Sequence, residues 1–335
     1  MDLLTQGLLG ASLSSSLALK KKSYKVACFA GFLGGLLPDF DILIRSKNDP
    51  LLFLDFHRHF THSIFFCPIG SMFLALLLYF IQKKTFKFSE LYLYSLLGFL
   101  SHGLLDAFTS YGTHLFWPFS NERISLNIIS IIDPIYTLIL FFSLAFFYFF
   151  KSKKIIKVGI LCSIFYLFIC FIKHERVEKI VYQIAEQKKH DIEKLLIKPT
   201  IGNNFLWRTI YLYNGIYYIY VVYMPNFKEG YYIKGDTVRF IDKEKILPEL
   251  GINSTQRNDI LRFAKFSNEY IYFHPSYKNV IADLRYGKMP YDSEALWGIE
   301  YDLEKPNDHV KYLNLRNYEK SDYKKYWEMV NGKLD

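Results

Sequence analysis

The stretch His57-Arg58-His59-Phe60-Thr61-His62-Ser63 runs without interruption into Ile64-Phe65-Phe66-Cys67-Pro68-Ile69-Gly70-Ser71-Met72-Phe73-Leu74-Ala75-Leu76-Leu77-Leu78-Tyr79-Phe80-Ile81. An apolar run of about 20 residues matches the thickness of a bilayer. Ser63–Ile81 therefore reads as a membrane helix with three imidazoles at its entrance, where ionisable groups are costly and point to function. Outward from it, apolar segments of similar length recur at Glu90–Phe108, Ile131–Phe150 and Ile155–Ile172. Val26–Ile44 fits if Asp39 and Asp41 lie at its end. Leu3–Leu19, rich in Ser and Gly, makes a sixth span suited to close helix packing.

The 335 residues are 51% hydrophobic, which excludes disorder, and their net charge of +9 is not spread evenly. With six spans, ten lysines (Lys20, Lys21, Lys22, Lys25, Lys83, Lys84, Lys87, Lys151, Lys153 and Lys154) fall in loops on one side. The opposite loops, 45–62 and 109–130, hold only Arg45, Lys47, Arg58 and Arg123. Basic loops face the cytoplasm. The charge thus reports orientation, and nucleic acid is not an expected partner. The expectation is a multi-pass protein of the bacterial cytoplasmic (inner) membrane, with every His/Asp motif and the C-terminal domain extracytoplasmic. Cys28, Cys67, Cys162 and Cys170 lie in apolar segments without CxxC spacing and read as small buried hydrophobes. No cleaved signal peptide is expected, because a basic stretch followed by a small-residue cleavage site is missing at the N-terminus.

After the sixth span the composition turns polar. Three domains are expected: a transmembrane metal-site domain over 1–174, a connecting amphipathic helix over 175–198 ended by Pro199, and a soluble α+β domain over 199–335. Leu206–Tyr213 and Ile216–Tyr223 flank Asn214-Gly215, a strong hairpin signal. Tyr231–Ile233 and Thr237–Ile241 suggest a second hairpin around Gly235-Asp236. Helices are expected at Asn258–Phe266 and Ser321–Val330, with strands at Tyr270–Phe273, Val280–Leu284 and Leu296–Tyr301. The fold class is an α-helical polytopic membrane domain of about six spans followed by a small soluble α+β domain.

The polar residues at the span ends are the candidate site. His102 and Asp106, four apart, share one helical face and can reach one ion. A helix-end His–Asp hydrogen bond explains the same pair. Asp39 and Asp41 converge if Pro38 imposes an extended turn; otherwise they are two solvated acids. Of the three clustered histidines, His57 and His62 are the favoured ligands, and His59 reads as a bystander. Imidazoles and carboxylates suit a borderline ion such as zinc. Asp39, Asp41, His57, His62, His102 and Asp106 exceed the needs of one tetrahedral zinc, which allows two ions. Asp41 or Asp106 is then the candidate general base, through a metal-activated water. Arg58 and Arg123 are candidates to neutralise a phosphoryl oxygen. Asp133 is a candidate to orient a ligand histidine, and His114 reads as a loop-lining residue.

The order of these motifs resembles the membrane-bound metal-dependent hydrolases, also described as LexA-binding, inner-membrane-associated hydrolases. The matching stretches are Met1–Ala11, Leu37-Pro38-Asp39-Phe40-Asp41, His57–Ser63, His102-Gly103-Leu104-Leu105-Asp106, Ser110–Ser120 and Ile132-Asp133-Pro134, with Asp283-Leu284-Arg285 in the C-terminal domain. The resemblance implies a metal site built from the Asp-x-Asp, His-Arg-x-x-Thr-His-Ser and His-x-x-x-Asp elements. One departure matters: Gln6 stands where that family has His, and Gln is a poor zinc ligand. Gln6 then supports a ligand, weakens one metal position, or marks lost catalysis. A LexA contact would need a cytoplasmic face, which this topology does not offer. The expected activity is hydrolysis of a phosphoester or other amphipathic, lipid-like substrate at the outer membrane face. Membrane lipid or a lipid-linked molecule is the expected partner, and a protein partner is left open. The alternative is a catalytically inactive, metal-stabilised membrane scaffold or regulatory binding protein. A transporter is disfavoured, because a transport path also needs polar groups near the midplane.

Overall fold

A computed structural model describes residues 1–18, 23–82, 85–243 and 249–334. Lys20, Lys21, Lys22, Lys83 and Lys84, and the Leu19 end of the first expected span, lie outside the described residues. The chain forms two compact units: Met1–Leu43 with Phe56–Ile172 and Ile201–Asn204, and Ile44–Asp55 with Lys173–Thr200 and Phe205–Asp335.

The first unit is helical: α1 (Leu3–Leu17), α2 (Tyr24–Leu36) continued by a 3-10 turn (Leu37–Leu43), a second 3-10 turn (Phe60–His62), α4 (Cys67–Ile81), α5 (Phe88–Ala107) and α6 (Pro134–Phe150); α3 (Leu52–Phe56), between the two 3-10 turns in the chain, belongs to the second unit up to Asp55. The first unit also contains the first part of α7 (Lys153–Gln187). Every expected span is helical, but the six-span count is not supported. Among the described residues, Tyr24–Leu43 and Lys153–Gln187 are long and apolar enough to cross a membrane. Leu52–His62 with Cys67–Ile81, bent by 80° at the break, makes a third if taken as one span. The reason is physical. α1, α4 and α6 run only 15, 15 and 17 residues, short of the roughly 20 a bilayer needs. α5 has 20 residues but carries Glu90, His102 and Asp106. α1 and α5 are largely inner helices, whereas α4, α6 and α7 turn Phe73, Phe80, Phe149, Leu161 and Phe165 outward.

Three inner helices meet backbone to backbone. A Cβ on Gly10 of α1 would collide with the Gly31 carbonyl of α2, and one on Gly98 of α5 would collide with the same oxygen. Gly35 likewise lies against the Gln6 carbonyl. Small residues permit this approach, and close van der Waals contact holds helices together where water cannot drive them together.

The second unit holds two four-stranded antiparallel sheets, β1 (Lys194–Pro199), β2 (Leu206–Tyr213), β3 (Ile216–Tyr223), β4 (Tyr231–Arg239) and β5 (Ile271–Phe273), β6 (Val280–Asp283), β7 (Trp297–Glu300), β8 (Lys311–Asn314), each in chain order. Helices α8 (Thr255–Phe266) and α9 (Lys320–Val330) complete it. One face of the first sheet, with Ile197, Trp207 and Tyr211, packs on Val177, Val181 and Ile184 of α7. The other face, with Leu196, Ile210 and Leu212, packs on Tyr270, Tyr272 and Leu284.

The Asn214-Gly215 hairpin forms as expected, both residues having positive φ (49° and 71°), the signature of a type I′ turn. Two expectations fail. The connecting helix does not reach residue 198: α7 closes at Gln187, where Lys189 turns left-handed (φ 57°) and the His190 N–H donates to the Ala185 carbonyl at 2.9 Å. Lys194–Pro199 is instead a strand, because pairing with β2 satisfies its backbone. Gly235-Asp236 is no turn, and Tyr231–Arg239 runs through it as one strand. Gly235 is there because a Cβ would collide with the Tyr291 carbonyl. β8 has no counterpart among the expected strands.

Within this unit Arg262 of α8 gathers three carboxylates: Asp55 at 2.6 Å, Asp49 at 2.9 Å and Asp259 at 2.9 Å. His309 Nδ1 lies 2.8 Å from the other oxygen of Asp259.

Gly31→Val is expected to cost at least about 3 kcal/mol, because the added atoms meet backbone and have nowhere to move. Detergent-solubilised Gly31→Val should elute as aggregate. Gly251→Ala, with nothing within 4 Å of the new atom, should elute as wild type does.

Candidate metal centre

Four segments deliver the site to one end of the helical unit: the start of α1, the 3-10 turn after α2, the Phe60–His62 turn and the last turn of α5. Gly103 lets α5 reach the histidine turn, since a Cβ there would collide with the His62 carbonyl. Asp39, His62, His102 and Asp106 converge with ligand atoms within 4.8 Å of one another. His62 Nε2 lies 2.9 Å from His102 Nε2, 3.3 Å from Asp39 Oδ1 and 3.2 Å from Asp106 Oδ2. His102 Nε2 lies 3.5 Å from each of the same two oxygens. His62, His102 and Asp106 are fully buried.

Proton bookkeeping decides what these atoms are. His102 Nδ1 lies 2.6 Å from the Gly35 carbonyl. A carbonyl only accepts, so Nδ1 carries the hydrogen and Nε2 presents a lone pair. The Thr61 hydroxyl donates to Asp41 Oδ2 at 2.6 Å, so its oxygen accepts from His62 Nδ1 at 3.0 Å. In its neutral form His62 then also presents a lone pair at Nε2, the form a metal ligand takes. Asp39 Oδ1 and Asp106 Oδ2 are buried without a hydrogen-bond donor; Arg58 Nε lies 3.1 Å from Asp106 Oδ2 but is not aligned for one. Four acceptors thus face one point. Ligands about 2.0–2.1 Å from a tetrahedral zinc stand roughly 3.3 Å apart, so the residues present fit such an ion.

Asp39, Asp41 and His57 form an adjoining set that shares Asp39. Asp41 Oδ1 lies 2.8 Å from His57 Nδ1, while Asp41 Oδ2 accepts from the Arg58 amide at 2.9 Å and from Thr61. The structure thus divides the expected ligands: His62 joins His102 and Asp106, and His57 joins Asp41. The Pro38 turn is 3-10 rather than extended, yet Asp39 and Asp41 still converge in the second set, and Asp39 alone also reaches the first. Gln6 donates from Nε2 to Asp106 Oδ1 at 2.9 Å and to the His102 carbonyl at 3.3 Å. It holds a site carboxylate in place. The other Asp106 Oδ1 partner is the Met1 nitrogen.

Arg58 donates to Thr109 Oγ1 at 3.1 Å, and Arg123 donates to the His57 carbonyl at 2.9 Å. Both guanidinium groups lie over Tyr111, at 4.9 and 5.4 Å from its ring centre. His59 packs on His114 and Trp117, outside both sets. The expected role of Asp133 falls to other groups: it caps α6 through the Tyr136 amide and accepts from Tyr166, while Gly35, Thr61 and Asp41 orient the rings. Thr61, Gly35 and Tyr111 were not singled out from sequence. Thr61 sits inside the histidine motif, which was its only signal.

A helical unit with membrane-length helices and a buried His/Asp cluster, joined to an antiparallel-sheet unit, defines a class of integral membrane protein. Residues 1–177, more than half of the chain, match the sequence model of the family described as YdjM inner membrane protein, and the chain belongs to that family. Every residue of both His/Asp sets falls inside that region. The chain is 27% identical over 288 residues to the Bacillus subtilis (strain 168) protein named "Uncharacterized protein YfhP", covering 82% of each chain. It is 34% identical over 99 residues to the Escherichia coli (strain K12) "Inner membrane protein YbcI", 28% of this chain and 55% of that protein. No solved structure matches it.

Thr61→Val should cost about 1.5–3 kcal/mol, because it strips a donor from the buried Asp41 carboxylate. Thr61→Ser should restore most of that. The thermal midpoint in detergent is the readout.

Proposed function

We propose that this protein is a membrane-embedded metal-dependent hydrolase acting on a phosphoester or other amphipathic, lipid-like substrate. The observation that carries the reading is the convergence of four acceptor atoms whose protons are committed elsewhere. Asp39, His62, His102 and Asp106 would hold one divalent ion, zinc by donor type. Asp39, Asp41 and His57 would hold a second. Such an ion, when bound, acidifies a water and polarises a phosphoryl oxygen.

The chain's own groups supply the rest. Arg58 and Arg123 bring two positive charges to Tyr111, beside the His57–His62 turn, where a phosphoryl group would be oriented. His57, 18% exposed and backed by Asp41, is the ligand of the second set that opens toward solvent. Asp41 serves better as its anchor than as the base, because three donors already engage it. Gln6 and Arg58 keep Asp106 ionised and turned inward.

Helix polarity supports an orientation with the site outside the cytoplasm. Lys25, Lys87, Lys151, Lys153 and Lys154 stand at the opposite helix ends from the His/Asp cluster, so the lysine end belongs in the cytoplasm and the site outside it. In a background with all four cysteines changed to alanine, Asn121→Cys should react with an impermeant maleimide on intact cells. Lys151→Cys should react only after permeabilisation. The reverse pattern would overturn the orientation.

Elemental analysis of detergent-purified wild type should find close to stoichiometric metal, absent from His62→Ala/His102→Ala. Metal missing from the wild type and not taken up on adding zinc would sink the reading. Hydrolysis of bis(p-nitrophenyl) phosphate or phospholipid should follow the metal, with a loss of at least about a hundredfold in the double variant. Metal without turnover favours the second reading, a metal-stabilised scaffold. One observation supports that reading: the Asp106 charge is already offset by Arg58, and Gln6 replaces a ligand-type residue. Under it, Gln6→His should raise metal retention and leave turnover at zero.

A further inference from the structure

The second unit buries two cations side by side, with Asp236, Asp283 and Asp292 as the carboxylates near Arg208. Lys198 of β1 and Arg208 of β2 are direct cross-strand partners and are both buried, at 7% and 3% exposure. Opposed residues on antiparallel strands share a face, and like charges placed so repel. The face is the one on which Leu196 and Ile210 pack against the second sheet. Arg208 spends its Nη hydrogens on the carbonyls of Met289, Pro290 and Leu284, at 3.2, 2.8 and 2.9 Å. Its Nε is buried without an acceptor.

Lys198 Nζ stands 3.4 Å above the centre of the Tyr286 ring. Among the described residues it forms no ion pair with a carboxylate and no hydrogen bond. Tyr286 packs on Trp297, with Arg316 over the indole and Arg285 over Tyr286. Asp283 is committed elsewhere, binding Arg285 at 2.7 Å and accepting from Trp297 Nε1 at 3.2 Å, and Asp236 accepts from the amide and hydroxyl of Ser293. Burial pushes the Asp292 carboxyl up to about 7 despite the nearby Arg208 charge, so it is a weak counter-ion at neutral pH. Burial first, then Arg208 and Arg285, pull Lys198 well below the ordinary lysine range. A charge buried this way is expensive unless something pairs with it.

We infer that Lys198, Arg208 and the aromatic pair Tyr286/Trp297 form a binding site for a small tetrahedral oxyanion, phosphate in kind, within the C-terminal unit. The anion accepts from Lys198 Nζ and Arg208 Nε and relieves the repulsion across the strand pair. Gly287 lets the Arg208 guanidinium lie close to the backbone, since a Cβ there would stand 2.8 Å from Arg208 Nη1 and 2.7 Å from Asp292 Oδ1. The site belongs wholly to the sheet unit and does not rest on the hydrolase reading.

The test is thermal unfolding of the full chain in detergent, in phosphate, sulfate and chloride at matched ionic strength. The Arg58→Gln/Arg123→Gln background is used so that phosphate at these two arginines, the pair assigned above to a phosphoryl group, cannot mimic the effect. Phosphate and sulfate strengthen burial generally, so the decisive quantity is the difference between this background and the same protein with Lys198→Met. In chloride, Lys198→Met should be at least as stable as its parent. In phosphate, the parent should gain several degrees more than Lys198→Met. Equal gains in both, or no gain in either, would overturn the proposal. So would a Lys198→Met protein less stable than its parent by the same margin in every salt, which is the mark of a structural lysine. If Lys198→Met does not fold, equilibrium dialysis of the background protein with labelled phosphate decides. Saturable binding of about one phosphate per chain, displaced by sulfate, supports the site, and none refutes it.

Discussion

The helical unit depends on the contact of three backbones at Gly10, Gly31 and Gly98. Dispersion between closely packed atoms is weak per contact and falls steeply with separation. Bringing α1, α2 and α5 together at glycine therefore gives more than any side-chain interdigitation at these positions. It also sets the registry of the three helices. Once Gly31 sits between Gly10 and Gly98, the end of α2, the start of α1 and the end of α5 reach the same level. Gln6, Asp39, His102 and Asp106 meet there because of steric contacts one to two turns away.

The cluster thereby created is unfavourable as it stands. Two imidazole lone pairs and two carboxylate oxygens point at each other in a buried volume, where bare acceptors are expensive. Gly35, Thr61 and Gln6 increase the difficulty: each fixes a proton or an oxygen so that it cannot turn to relieve the convergence. Such orienting contacts are the usual support of metal ligands. Arg58, with positive φ (61°), is drawn toward this point together with the Met1 ammonium. Its guanidinium approaches Asp106 from the side, without the alignment of a strong bond.

Much of the site was legible because its residues cluster in sequence. The His57–Ser63 run and the His102/Asp106 spacing display their chemistry within one helical turn. Gln6 was visible only as a departure from a resemblance, and its hydrogen bond to Asp106 spans 100 residues, beyond any local pattern. The division of ligands into two sets was hidden too, because whether Asp39 and Asp41 face together depends on the winding of one turn. In the fold, Asn214-Gly215 announced its hairpin because the turn itself demands positive φ. Gly235 misled for the opposite reason. Its glycine answers to the Tyr291 carbonyl more than fifty residues away, and no local rule distinguishes that from a turn. The span count failed on the same ground. Apolar length records what a segment avoids, and α1 and α5 avoid water by packing on other helices.

Arg262, with Asp49, Asp55, Asp259 and His309 around it, is an ionic counterpart of the histidine cluster. Asp49, Asp259 and His309 offer ligand atoms within 4.8 Å of one another, much as the residues of the membrane unit do. Here the positive charge is supplied by the chain itself. A guanidinium is permanent, needs no supply from the cell and cannot be exchanged for another ion, whereas an open cluster is subject to all three. A single replacement of Arg262 by a neutral residue would turn this ionic clasp into a vacant ligand set. The distance between a structural ion pair and a new metal dependence is thus, in this protein, one codon.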